Sequence, residues 1–371
     1  MCTLMKILCL FDTGVDRGEC HLLIGLKRMG VEPYVICKPD TARIDTLREA
    51  GIEVETWTIR SKIDPALIRR LRSLIRQYKF DLVHAFRKGA LSNYTLASIG
   101  LGGRPVVAYR GIIGNLSYWD PFSWMTFLNP RISRIICVCD AIQNYFLKKR
   151  FMLFFNLFDK KKVVRIYKGH RLEWYEKNAD TPRILPKIGI PSDSLIIGCI
   201  SRIQARKGIR ELILAMEHVK SDKSVHLVIL GMINDKSYQD ALLQSTCKNR
   251  IHVMGYYPDA ALIAHEFDII TLPSLRREGL PRSVIEGMAQ GIPPVVTNAG
   301  GSPELIEQGV SGLVVPPGDP IALAEAFNLL LADEDLRINM GNAARMRIDR
   351  CFNVDTSVQE TFDLYRNVLN L

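Results

Sequence analysis

Short apolar runs rich in Val, Ile and Leu recur along this chain, and most are followed by a stretch with apolar residues every three or four positions. In the first half the runs are 6–11 (KILCLF), 33–37, 54–59, 81–86 (DLVHAF), 105–110 (PVVAYR), 134–139 and 163–167. In the second half they are 194–201 (SLIIGCIS), 225–230, 250–255, 267–273 (FDIITLP), 293–298 and 311–316. Runs without strict alternation indicate strands covered on both faces, and hence parallel sheets flanked by helices. Two blocks of alternating strand and helix predict an α/β chain of two doubly wound domains. The segment Glu173–Pro191, with Pro182, Pro186 and Pro191, reads as the join. The expected division is therefore 1–180, 181–353 and a terminal helix at 354–371 that has no following strand to pair with.

Ligands of open parallel sheets bind at the carboxyl ends of the strands, so the residues just after each run matter most. After FDIITLP come Ser274, Glu278, Gly279, Leu280, Pro281 and then Val284, Ile285, Glu286 and Met288. Pro281 suits the first helical position, and Val284, Ile285 and Met288 form an apolar stripe. Glu278 in the loop and Glu286 on the helix bracket a helix N-terminus, whose free amides and dipole attract phosphate. Gly279 allows close backbone approach, and carboxylates in such a place suit sugar hydroxyls. After SLIIGCIS stand Arg202, Arg206, Lys207 and Gly208, before a helix predicted over Ile209–Val219. Cations of this kind can clamp a diphosphate, with Arg206 expected to be a solvated neighbour. Gly300, Gly301, Ser302 and Pro303 predict one more helix start, with Ser302 as its cap.

The combination of Arg202, Lys207-Gly208, Glu278 and Glu286 in EGLPRSVIEGMAQGIPPVVTNAGGSPELI, continuing through Gly309 to Asp319, resembles the retaining glycosyltransferases of family 4. The resemblance implies the GT-B fold: two Rossmann-like domains facing a cleft, with a C-terminal helix crossing back to the N-domain. It further implies that Glu278 meets hydroxyls of the donor sugar, Glu286 the ribose, and Arg202 and Lys207 the diphosphate. Gly279, Leu280 and Pro281 would line the donor site, and backbone near Tyr256 the base. In the first half, 81–86 is similar to the family strand that ends in a His beside the reaction centre, here His84. The family's first loop, Gly-Gly-x-Glu, is matched only by Gly18 and Glu19, and Lys168-Gly169 stands where Asn-Gly is usual. The implied chemistry is front-face transfer from a nucleotide sugar, UDP- or GDP-linked, with no metal and no other cofactor.

Charge adds a partner. The chain carries 49 Lys and Arg against 39 Asp and Glu, and all of the surplus lies in residues 1–180, which are net +13, while 181–371 are net −3. The half expected to receive the acceptor is thus the basic half, which suits a phosphorylated glycolipid or an anionic membrane face. Arg110, at a strand end, is a candidate for an anionic acceptor group, and Trp119 and Asp120 in the aromatic stretch 118–124 for a sugar acceptor. Residues 146–162 (FLKKRFMLFFNLFDKKK) set an apolar wedge between cations, as interfacial membrane elements do; a buried helix with solvated ends is the plainer reading. No run is long enough to span a bilayer, and residues 1–11 do not read as a secretion signal. The nine cysteines and seven histidines show no disulfide or metal spacing. A cytoplasmic enzyme held peripherally at the inner membrane, acting on a lipid-linked, lipopolysaccharide or capsule-type glycan, is expected. The alternatives are a nucleotide-sugar 2-epimerase of related fold, which would need a further acid–base pair, and a nucleic-acid-binding protein. Dispersed basic residues without interleaved aromatics argue against nucleic acid.

Overall fold

A computed structural model describes residues 4–151, 155–176, 183–257 and 260–371. The chain forms two compact units, residues 1–169 with 352–371, and residues 170–351. The second unit therefore begins at His170, inside the segment expected to belong to the first.

The first unit is built on a seven-stranded sheet. Its strands are β1 (Met5–Leu10), β2 (Val31–Cys37), β3 (Glu53–Thr56), β4 (Leu82–Ala85), β5 (Val106–Arg110), β6 (Ile132–Cys137) and β7 (Val163–Arg165), in the order β3-β2-β1-β4-β5-β6-β7. Every pairing is parallel. The second unit holds β8 (Leu195–Ile200), β9 (Val225–Leu230), β10 (Ile251–Gly255), β11 (Ile269–Leu272), β12 (Pro294–Thr297) and β13 (Leu313–Val315), all parallel, in the order β10-β9-β8-β11-β12-β13. In both sheets the order reverses beside the first strand. That reversal opens the crevice where Rossmann-like domains take their ligands. The central strands are apolar at nearly every position because helices cover both faces: β9 is buried throughout, as is β4.

Helix α1 (Arg17–Arg28) starts in a capping box, in which Asp16 accepts from Glu19 N at 3.0 Å and Glu19 accepts from Asp16 N at 3.0 Å. Lys27 and Arg28 complement the dipole in its last turn. Helix α2 (Ile209–Ala215) gives way to a 3₁₀ turn at Met216–His218, so the predicted helix tightens over its last turn. Helix α3 (Arg282–Ala289) follows β11, and α4 (Glu334–Cys351) packs on it. The helix expected after Ser302 is instead a single 3₁₀ turn, Ser302–Leu305, capped by Gly301; Ile306 is already extended, and the chain leads into β13.

Helix α5 (Val354–Leu369) joins the first unit and packs on α1. Its buried face is Val354, Ser357, Val358, Thr361 and Tyr365, spaced as an amphipathic helix requires. The two helices approach so closely that a Cβ on Gly25 would lie 2.5 Å from a methyl of Val358. Ser357 Oγ also donates to Tyr167 O at 2.6 Å.

Segment 146–162 is divided by the fold. Phe146 and Phe158 are buried against each other, 5.0 Å apart, and Phe146 also meets Phe127. Arg150–Phe151 and Phe155–Asn156 pair as a short antiparallel hairpin. Residues 152–154, the centre of the expected apolar wedge, lie outside the described residues. No helix among the described residues is long and apolar enough to cross a membrane.

Candidate functional site

At the carboxyl end of β11, Glu278 is buried and held through one oxygen. Its Oε1 accepts from Lys207 Nζ at 2.7 Å and from Ser274 Oγ at 2.7 Å, with Arg206 Nη1 at 3.5 Å. No hydrogen bond from the described residues reaches Oε2. A carboxylate so held is fixed in direction while one oxygen is left for a ligand.

The two loops that bring Lys207 and Glu278 together are fastened by backbone. Leu275 N donates to Arg206 O at 2.9 Å, and Gly208, at φ 68°, sits where a Cβ would lie 1.9 Å from Pro273 O. Only glycine fits there, because of both its angle and that contact. Thr297 on β12 ties the same loop by donating to Ser274 O. Arg277, directly before Glu278, has φ 64°, a left-handed conformation that costs a residue with a side chain energy and is found disproportionately at functional sites.

Eight residues on, Glu286 is buried on α3 and accepts from Arg282 Nε at 2.6 Å. Pro281 is the cap of α3, not its first helical residue, and supplies no side-chain bond to the first turn. The first turn of α3 therefore has no side-chain cap, and a helix start of this kind attracts an anion through its dipole. Gly279 and Pro281 are buried and Leu280 half-buried beside them. Among the expected donor residues, Lys207, Glu278, Gly279, Leu280, Pro281 and Glu286 form one neighbourhood. Arg202 is exposed, and Tyr256, 68% exposed, lies just beyond β10. Arg206 was expected to be solvated, yet its guanidinium turns to Glu278, because a buried carboxylate attracts any cation within reach.

The first unit carries a second cluster. Glu19 is buried and chelated by Arg87, with Nη1–Oε1 2.6 Å and Nη2–Oε2 3.0 Å, and Lys168 stands 3.7 Å from its Oε1 and bonds Asp16. Burial opposes the Asp16 charge, but the Lys168 ammonium, the Glu19 amide and the Arg87 guanidinium together outweigh it and keep the carboxyl below its usual range. Gly18 is buried here, and a Cβ on it would lie 2.9 Å from Gly169 O. Arg87 follows β4 and lies 68 residues from Glu19, a pairing that only the topology reveals.

His84 lies inside β4, not exposed at its end. Its ring is fully buried and stacked on Phe86, and its Nδ1 is 2.6 Å from the Tyr365 hydroxyl of α5. Burial pushes its pKa down to about 3, so the imidazole is neutral. Its Nε2 is buried without a partner. A cavity is lined by His84, Gly18, Glu19, Tyr109, Lys168 and Thr361 among others.

The expected acceptor residues are placed differently. Arg110 is buried, donates to Ile112 O at 2.8 Å and to Gly114 O, and lies over the Phe127 ring. Two of its donors therefore hold its own loop, so it is not a free strand-end side chain. Asp120 caps the short helix Pro121–Trp124, accepting from Ser123 Oγ at 2.8 Å and Phe122 N at 3.1 Å. Trp119, 94% exposed, remains open on the surface. Among the described residues, no group of three or more His, Cys, Asp or Glu gathers as metal ligands.

Residues 180–347 match the family model of glycosyl transferases group 1, and residues 13–173 that of Glycosyltransferase Family 4. The capsular polysaccharide biosynthesis glycosyltransferase CapM of Staphylococcus aureus is 28% identical over 181 residues, 48% of this chain and 47% of its own length. In this match and others the chain spans about half the length of the curated relative. The UDP-Gal:alpha-D-GlcNAc-diphosphoundecaprenol alpha-1,3-galactosyltransferase of Escherichia coli is 23% identical over 93% of this chain and 94% of its own. The crystal structure of a glycosyltransferase from Rickettsia africae superposes with a TM-score of 0.81, at 20% identity, over 98% of each chain. In sequence over both halves, and in its pair of Rossmann-like domains, this chain resembles the group 1 glycosyltransferases, and its fold is GT-B.

Proposed function

We propose that this protein is a retaining glycosyltransferase that moves a sugar from a UDP- or GDP-sugar to a lipid-linked, lipopolysaccharide or capsule-type glycan, without a metal. The observation that carries the reading is the one-sided hold on Glu278 beside the uncapped start of α3. Glu278 Oε2 accepts from hydroxyls of the donor sugar, and Glu286 from the ribose. Gly279, Leu280 and Pro281 wall the donor, and the backbone near Tyr256 receives the base. The Lys207 ammonium keeps donors beyond the one given to Glu278. With Arg202 and the α3 amides it stabilises charge developing on the departing diphosphate. The bond from the anomeric carbon to phosphate oxygen breaks as the acceptor oxygen bonds on the same face, and the acceptor's proton passes to a phosphate oxygen. His84, neutral by burial, serves as a hydrogen-bonding group and not as a base.

The basic first half suits an anionic, lipid-borne acceptor, with Trp119 the exposed aromatic available to it. The diphosphoundecaprenol in the Escherichia coli relative's name is an acceptor of this chemistry. We place the protein peripherally on the cytoplasmic face of the membrane, with residues 146–162 as its contact.

A thermal-shift series with UDP, GDP and ADP and their sugars tests the donor assignment, because a ligand bound by the folded state alone raises its melting temperature. Stabilisation by one nucleoside diphosphate and its sugar is expected. None by any of them would contradict it.

A further inference from the structure

His84 and Tyr365 lie 281 residues apart, and their 2.6 Å contact joins β4 to the terminal helix. Tyr365 is fully buried, and among the described residues its hydroxyl bonds nothing but this imidazole. Only two proton arrangements suit a neutral ring. If Nδ1 carried the proton and donated to the phenol oxygen, the phenolic proton would be orphaned and Nε2 would be a lone acceptor. If the phenol donates to Nδ1, the ring proton sits on Nε2, and that N–H is the single unmet group. A buried polar group left unmet is costly, so the arrangement with one is favoured over the arrangement with two. The one that persists needs an explanation, and His84 lines a cavity that also receives Gly18, Glu19 and Lys168.

We propose that Tyr365 is a positioning residue that fixes His84 as its Nε2–H tautomer, so that the ring offers an N–H to a ligand oxygen at the cavity it lines with Gly18, Glu19 and Lys168. The assignment rests on the glycosyltransferase reading above. It gives the terminal helix a role besides packing: the ring is clamped by the Phe86 stack on its face and by Tyr365 on one edge, which leaves the Nε2 edge as the one without a partner.

Long-range nitrogen–proton NMR of the wild-type protein reads the tautomer directly and needs no variant. A protonated Nε2 and bare Nδ1 on His84 are expected, and a proton on Nδ1 would overturn the proposal. In Tyr365→Phe, which keeps the ring, the His84 signals should move toward a mixture of tautomers. kcat should fall about tenfold, with KM for the donor nearly unchanged, the signature of a contact made in the transition state. Unchanged tautomer signals or unchanged kcat in a variant that melts normally would also overturn it. If neither protein transfers sugar, the glycosyltransferase reading fails, while the NMR result still decides the tautomer.

Discussion

Lys207 Nζ lies 2.7 Å from Glu278 Oε1, and both side chains are nearly buried although they come from loops after different strands, β8 and β11. Each needs the other, since a buried charge without its partner is strongly destabilising. The pair therefore fixes the geometry in which both would meet a donor.

Removing the ammonium should cost stability, since it leaves Glu278 with the more distant Arg206, and should also slow the chemical step. Lys207→Ala is expected to lower kcat by about 10²–10³, the usual effect of losing one electrostatic stabiliser, with acceptor affinity little changed. Initial-rate kinetics with both substrates varied would show it, and full activity would remove Lys207 from the mechanism.

The two carboxylates should separate by substrate part. Glu286→Gln is expected to weaken UDP or GDP binding by about 1.5–3 kcal/mol, the worth of a hydrogen bond to a charged group. Glu278→Gln should leave the nucleoside diphosphate's affinity nearly intact and weaken the discrimination of sugar nucleotide from bare nucleotide. Calorimetric titration of each ligand into each variant distinguishes the roles; equal losses on both ligands in both variants would not fit.

Arg110 and Trp119 should behave in opposite ways. Arg110→Ala leaves the carbonyls of Ile112 and Gly114 without their donor and should cost about 1–3 kcal/mol of stability. Trp119→Ala, with its ring 94% exposed, should not change the denaturation midpoint and should raise KM for the acceptor. A stable Arg110→Ala protein would show that the loop is held by something else.

His84 also predicts a pH dependence. Its folded pKa, near 3, lies below the unfolded value of 6.5. The unfolded chain therefore binds the extra proton, and stability falls as pH drops from about 6.5 toward 3. Between pH 7 and pH 5 this group alone removes about 2 kcal/mol by linkage. His226 and His252 are also lowered, by burial, and act in the same direction. The comparison is therefore between wild type and His84→Gln, whose loss over that interval should be smaller by about that amount. Identical losses would show that His84 is protonated in the folded state.

The strand runs and the Glu278–Lys207–Glu286 set are legible in the chain because local pattern encodes them: apolar runs, turn residues, and cations or carboxylates just beyond strand ends. The partners that give the site its form are not local. Arg87 reaches Glu19 because β4 lies next to β1, and Tyr365 reaches His84 because the last helix packs into the first unit. The loop contacts of Arg110 are not legible, because a strand-end arginine looks the same in sequence whether or not it binds the carbonyls of its own loop. Ser302 misled, since cap and proline announce a helix start but not its length.

The most direct test of the central claim is titration of UDP and GDP into the wild-type protein and into Glu286→Gln at fixed salt. Saturable binding of one nucleoside diphosphate, weakened at least tenfold by the substitution, is the predicted result. No binding of either, together with salt-sensitive binding of an oligonucleotide, would contradict it.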